Sequence, residues 1–337
     1  MSLRDEIQTG AAEIDKKGKL TGKILSGVGG LYTVLAEDGR TLECTARGSL
    51  RHIGVSPFPG DNVCVTEEAN GKSVIDAVLP RKNIFSRPPA ANIDRLFITV
   101  SAASPSPSYI TVDKLICAAE YYNTVPVVII TKQDLDPDKA NELGEIYQSC
   151  GYGVFVTSSD SGKGVDELHK YIFASGEGVT GSTAVFTGES GVGKSSLMNA
   201  LFPGLKLATG CVSRKISRGR HTTRAVTLYP LDVTPNCNSA FLADTPGFGI
   251  FDLTSVENIY KEDIPGLFKE FEPYIGSCRY RKCTHLREEG CAVIEAVHSG
   301  VIPVSRHESY VRIYEEIKAR DPYKNKNIQR EKGIRKP

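Results

Sequence analysis

Residues 183–195 read Thr-Ala-Val-Phe-Thr-Gly-Glu-Ser-Gly-Val-Gly-Lys-Ser. A short apolar run ends at Gly188. From there Gly188, Glu189, Ser190, Gly191, Val192, Gly193, Lys194 and Ser195 match the pattern G-x-x-x-x-G-K-[ST] in full, with Ser196 next in the chain. Glycines let backbone N–H groups converge on phosphate oxygens, and the start of a helix behind them adds positive potential. In such a loop the lysine reaches the β- and γ-phosphates and the final hydroxyl ligates Mg²⁺. Those roles fall to Lys194 and Ser195. The loop requires a strand before it and a helix after it, so this stretch points to an α/β domain with a mostly parallel sheet.

Working downstream, Asp244-Thr-Pro-Gly247 follows the apolar run 240–243. An Asp at the end of a neighbouring strand holds Mg²⁺ in P-loop enzymes, and Gly247 can offer an N–H to the γ-phosphate. Between the two motifs lies Gly219-Arg-His-Thr-Thr-Arg224. A threonine in this interval is needed as a second Mg²⁺ ligand; Thr223 is favoured and Thr222 is the alternative. From Ser190 to Leu231 there is no acidic residue but seven Lys and Arg, which describes a basic switch segment ordered by γ-phosphate and Mg²⁺.

Working upstream, the apolar run 127–130 ends in Thr131, Lys132, Gln133 and Asp134. An Asp here accepts from guanine N1–H and the exocyclic amine, a donor pair that adenine lacks, and the Lys stem can lie along the base. This is the [NT]-K-x-D pattern with Thr in place of the commoner Asn. A second strand-like run, 155–157, leads to Ser158 and Ser159, a short loop suited to the guanine carbonyl. These base motifs precede the phosphate loop, the reverse of the order in most GTPases. A sheet tolerates such a circular permutation because its strands keep their places.

The rest of the chain fits around this centre. Strands at 95–102, 125–131, 153–157, 183–187, 224–231 and 239–243 alternate with helices at 112–122, 137–149, 165–173 and one opening near Gly193, predicting a sheet with helices on both faces. Residues 18–80 carry short strands at 19–25, 31–36, 41–46 and 62–67 with Gly-rich turns, the pattern of a small β-barrel. Pro88 and Pro89 mark a boundary. Near the C-terminus, Cys278, Cys283, His285 and Cys291 have the spacing of a closed, structural zinc site. His298 and His307 read as surface residues, and the remaining six cysteines as reduced core residues. The expected division is a polar leader (1–17), a barrel (18–87), a permuted GTPase domain (88–253) and a helical zinc domain with a basic tail (254–337).

Of the 337 residues, 40% are hydrophobic and 24% charged, with a net charge of +1, ordinary for a globular protein. No run approaches the ~18–20 apolar residues of a membrane span, and the N-terminus lacks the apolar core of a secretory signal. The expectation is a cytoplasmic protein without a membrane partner. Charge is uneven: residues 16–90 hold 11 basic against 7 acidic, 91–275 hold 15 against 21, and 276–337 hold 14 against 8. Basic ends flanking an acidic centre suit a polyanionic partner.

The motifs TKQD, TSS, GESGVGKS, GRHTTR and DTPGF, in this order, resemble those of the ribosome small subunit-dependent GTPase A (RsgA) family of circularly permuted GTPases, over residues 18–320. The resemblance implies an OB-fold for the barrel, one structural zinc, GTP with Mg²⁺, and the small ribosomal subunit with its rRNA as partner. It also implies a catalytic role for His221. Phe248 stands where many GTPases carry a water-orienting Gln, so hydrolysis should be slow until a partner acts. Nothing demands a dimer, and a monomer is expected. An ATP-using P-loop kinase and a non-hydrolysing zinc RNA-binding module are the alternatives; TKQD argues against the first, and Lys194, Ser195 and Asp244 against the second.

Overall fold

The computed structural model describes residues 20–68, 71–86, 89–173, 182–203, 226–231, 240–244 and 259–320. His221, Thr222, Thr223, Gly247, Phe248, Cys211 and Cys237 lie outside the described residues, as do the leader and the basic tail.

Five strands close the N-terminal barrel: β1 (Leu20–Val28), β2 (Leu31–Ala36), β3 (Thr41–Ala46), β4 (Asn62–Glu67) and β5 (Ser73–Val78), in the order β1-β2-β3-β5-β4. Their inward residues Ile24, Val34, Cys44, Val63, Val65 and Ile75 form the interior. A short helix, α1 (Gly48–His52), plugs one end with Leu50. The sequence reading had four strands. It missed β5 because Asp76 interrupts the apolar run; Asp76 is paired with Arg47 and accepts from the Thr66 hydroxyl.

Beyond the barrel, β6 (Ile84–Ser86) and β7 (Pro89–Ala91) form a two-stranded ribbon where the prolines suggested only a boundary. Pro89 opens its strand, a position that needs no ladder N–H. Asn83 and Asn92 fasten the flanks: Asn83 Nδ2 donates to the Ile93 carbonyl at 2.7 Å, and Asn92 Nδ2 to the Gly60 carbonyl at 3.0 Å.

The central sheet has six strands, β8 (Arg95–Ser101), β9 (Val125–Thr131), β10 (Gly153–Val156), β11 (Thr183–Thr187), β12 (Thr227–Pro230) and β13 (Phe241–Asp244), ordered β10-β9-β8-β11-β13-β12. All pairings are parallel except β12–β13. Successive strand side chains point to opposite faces, and the sequence uses both. Ile98, Val128, Ile130 and Val185 join one core with α2 (Tyr109–Tyr121) and α3 (Pro137–Ser149). Phe97, Val127, Ile129 and Phe186 join another with α4 (Val165–Phe173) and α5 (Lys194–Leu201). From β8 the chain leaves toward β9, and from β11 toward β13. The crevice between their carboxyl ends is therefore a topological switch point, where such sheets bind ligands.

The C-terminal unit comprises two 3₁₀ turns (Ile264–Leu267 and Lys269–Tyr274), α6 (Ala292–His298) and α7 (Val304–Ala319). Its apolar side chains Phe268, Phe271, Tyr310, Ile313 and Ile317 share one continuous core with α2 and α3.

Candidate nucleotide site and metal centre

Gly188 follows β11 with φ +147°, and a Cβ there would lie 2.1 Å from the Thr99 carbonyl oxygen. The backbone of the loop is thus pressed against β8, which only glycine permits. Gly193 is left-handed at φ +91° and caps α5, its carbonyl accepting from Leu197 N at 2.9 Å. Lys194 opens the helix and its ammonium rests 3.3 Å from the Gly188 carbonyl. Ser195 and Ser196 are exposed at the helix start.

The base motif is fastened directly to this loop. Thr131, 2% exposed, donates its hydroxyl to the Val192 carbonyl, with the Val100 carbonyl a second acceptor at 3.2 Å. Lys132 adopts a left-handed backbone, φ +56°, which is uncommon for a residue with a side chain. Its ammonium donates to the Gly191 carbonyl at 2.8 Å and to the Ser104 carbonyl. Asp134 is exposed beyond them. The serine loop lies alongside: Gln133 N donates to the Thr157 carbonyl at 3.3 Å, and Thr157 N to the Ile130 carbonyl at 2.7 Å. Ser158 is buried, with its N–H given to the Lys163 carbonyl and its hydroxyl accepting from Ser161 N, so it shapes the loop. Ser159 is half-buried at the loop's rim.

The structure therefore brings residues 131–134, 158–159 and 188–196 to one end of the sheet. Asp244 closes β13 at that same end, three strands along from β9, beyond β8 and β11. His221, Thr223 and Gly247 fall outside the described residues. The sequence reading missed the segment after β8. Ser104 accepts from Lys132, and Pro105 lies 3.7 Å from a Cβ built on Gly191. A Ser-Pro-Ser-Pro-Ser run ending a strand was the available signal.

In the C-terminal unit, the ligand atoms of Cys278, Cys283, His285 and Cys291 lie within 4.8 Å of one another. Cys278 Sγ is 3.9 Å from Cys291 Sγ, and His285 Nδ1 is 3.5 and 3.4 Å from these two sulfurs. A tetrahedral zinc with Zn–S of about 2.3 Å and Zn–N of about 2.0 Å needs S···S near ~3.8 Å and S···N near ~3.5 Å, so the donor set fits. Burial lowers the His285 pKa, keeping the imidazole neutral as a metal ligand must be.

The loop that carries His285 is held by Glu288. Its carboxylate accepts from Thr284 N at 2.7 Å, the Thr284 hydroxyl, Leu286 N at 3.0 Å and Arg287 N at 3.1 Å. Burial alone would raise the Glu288 pKa; these donors outweigh it and bring the value to about 2. His307 corrects the sequence reading. It is half-buried and its Nε2 donates to the His285 carbonyl at 2.8 Å, because α7 packs beneath the metal loop. His298 is exposed, as expected.

With this geometry in hand, comparison with known proteins decides the family. A model described as RsgA GTPase matches residues 78–254, and one described as RsgA N-terminal domain matches residues 21–75. The chain belongs to the RsgA GTPase family. Membership makes it a GTP-hydrolysing enzyme. A relative from Agathobacter rectalis, named small ribosomal subunit biogenesis GTPase RsgA, is 36% identical over 317 residues, 90% of this chain and 100% of its own. The crystal structure of YjeQ from Thermotoga maritima is 34% identical with a TM-score of 0.74, covering 89% of this chain and 98% of that one. The structure of YloQ, described as a circularly permuted GTPase, is 32% identical with a TM-score of 0.70, covering 93% and 99%. The rotated motif order thus recurs in an RsgA-like structure, and the expected α/β class with an N-terminal barrel holds.

Proposed function

We propose that this RsgA-family GTPase is a nucleotide-switched assembly factor of the small ribosomal subunit, binding its rRNA and leaving after hydrolysis. The observation that carries the nucleotide part is the clamp of Thr131 and Lys132 onto the Val192 and Gly191 carbonyls. A base-reading segment so fastened to a phosphate loop has one use: holding both ends of one nucleotide in register.

Within that site, Asp134 accepts from guanine N1–H and the exocyclic amine, Lys132 and Gln133 flank the base, and Ser158 positions Ser159 at the guanine carbonyl. The loop from Gly188 to Ser196 wraps the phosphates, and Lys194 offsets charge as it builds on the β–γ bridging oxygen. Ser195, Thr223 and Asp244 would hold Mg²⁺, which when bound neutralises charge on the β- and γ-phosphates. Gly247 gives an N–H to the γ-phosphate. With Phe248 unable to hold water, His221 is the candidate to orient the attacking water.

Cys278, Cys283, His285 and Cys291 would hold a structural zinc, which when bound cross-links the loop to α6. The barrel and the basic C-terminal residues supply the polyanion grip, in keeping with relatives named for small ribosomal subunit biogenesis. The protein acts as a cytoplasmic monomer, with no helix among the described residues long and apolar enough to cross a membrane. Its working units are the leader, barrel, permuted GTPase domain and zinc domain divided near residues 17, 87 and 253. Competition against labelled GTP tests the site: unlabelled GTP and GDP should displace it and ATP should not. Equal displacement by ATP would return the kinase reading.

A further inference from the structure

Thr131 departs from the commoner Asn, and the departure has a chemical consequence. Guanine carries two acceptors, N7 and O6, on the edge adjoining its Watson–Crick face. On the proposed assignments, with its phosphates on Gly188–Ser195 and its N1–H and amine on Asp134, that edge would turn toward the ends of β9 and β10. In the proposed site the Ser159 end of the serine loop would serve O6, because the Thr157 and Ser158 N–H groups are given to the Ile130 and Lys163 carbonyls. N7 needs a donor at the end of β9, where Thr131 stands.

A threonine hydroxyl has one proton, whereas an Asn amide has two. Thr131 gives its proton to the Val192 carbonyl, with the Val100 carbonyl 3.2 Å away as the other acceptor. The neighbouring ammonium of Lys132 is drawn to the Gly191 and Ser104 carbonyls. An Asn could bond a loop carbonyl and a base nitrogen together; Thr131 can do only one.

We propose that this enzyme reads guanine with no protein hydrogen bond to N7. Thr131 is a positioning residue for the phosphate loop, and base selectivity rests on the Watson–Crick edge and O6. The inference rests on the assignment of Asp134 to guanine. It predicts tolerance toward guanine nucleotides whose N7 is replaced, the 7-deaza class.

The test is calorimetric titration of the full chain with GDP and with 7-deaza-GDP in the presence of Mg²⁺. The two dissociation constants should agree within twofold; a larger loss for 7-deaza-GDP overturns the proposal. Thr131→Val keeps the shape and removes the proton. It should weaken both ligands by one common factor, up to about tenfold, because the lost bond is the loop clamp. A penalty that falls on GDP and spares 7-deaza-GDP would place the hydroxyl on N7 and overturn the proposal. Should the variant fail to fold, the ligand pair on the unaltered chain still decides. Inosine diphosphate, lacking the exocyclic amine, tests the parent assignment separately: binding as tight as GDP would remove Asp134 from base reading without bearing on N7.

Discussion

Asp134 and Glu288 are two carboxylates with opposite duties. Asp134 is exposed and, on the proposed function, takes donors from guanine, whereas Glu288 already accepts four from its own loop. Replacing Asp134 with Asn puts an amide donor where guanine offers donors. GDP affinity should fall by on the order of 10²-fold, as expected for losing two bonds to a charged acceptor. Xanthosine diphosphate, with a carbonyl in place of the amine, should gain; titration of both nucleotides checks this. Glu288→Gln places an NH₂ against backbone donors and loosens the turn that presents His285. Zinc affinity should drop about 10- to 100-fold, the usual cost of losing a residue that orients a ligand, measured by chelator competition.

At the scale of elements, α7 is bound to α2 through a buried cation. Arg306 is fully buried; it pairs with Asp113 of α2 at 2.5 Å and with Glu270 at 2.7 Å, and lies over the Phe268 ring at 4.7 Å. Arg306→Ala would strand two buried carboxylates and should cost about 3–5 kcal/mol. The triple change Arg306→Met, Asp113→Leu, Glu270→Leu should recover most of that, since no charge is left unpaired. Urea denaturation distinguishes the two; equal losses would contradict the account.

None of this pairing was legible in the sequence, where Asp113 and Arg306 are ordinary charges 193 positions apart. The sheet was legible because its strands are apolar on both faces and its helices fall between them. The P-loop and the Cys/His spacing were legible because local geometry is their function. β5 was hidden by the paired Asp76, the ribbon by its prolines, and the role of His307 by a hydrogen bond that exists only once α7 docks.

At the scale of the whole molecule, the barrel sits at the amino end of the sheet, away from the proposed nucleotide site. Lys23 of β1, 4% exposed, donates to the Thr183 hydroxyl at 3.1 Å and lies 4.6 Å from the Phe241 ring centre. Burial lowers its pKa from 10.5 to about 8, against an opposing pull from Asp94. Below pH 8 both folded and unfolded chains keep the proton, and the fold bears the whole cost of the buried charge. Between pH 8 and 10.5 the folded chain releases the proton while the unfolded chain retains it, so stability from this group rises with pH. Lys23→Met should therefore raise Tm at pH 7, with the gain closing toward pH 10.5. A gain independent of pH would contradict the assignment.

The path between the proposed nucleotide site and the Cys/His cluster is also set at this scale. Chain order suggests coupling through the residues after Asp244. The described contacts run along α2, whose approach segment meets Lys132 and whose Asp113 meets Arg306. On the proposed function, a base reader clamped to the phosphate loop, with no Gln after D-x-x-G, would hold GTP until a partner completes hydrolysis. Phosphate release from GTP, measured with and without isolated small ribosomal subunits, tests this directly. The account predicts slow release alone and a marked rise on adding the subunits; release that is unchanged by them, at saturating GTP and with binding intact, would contradict it.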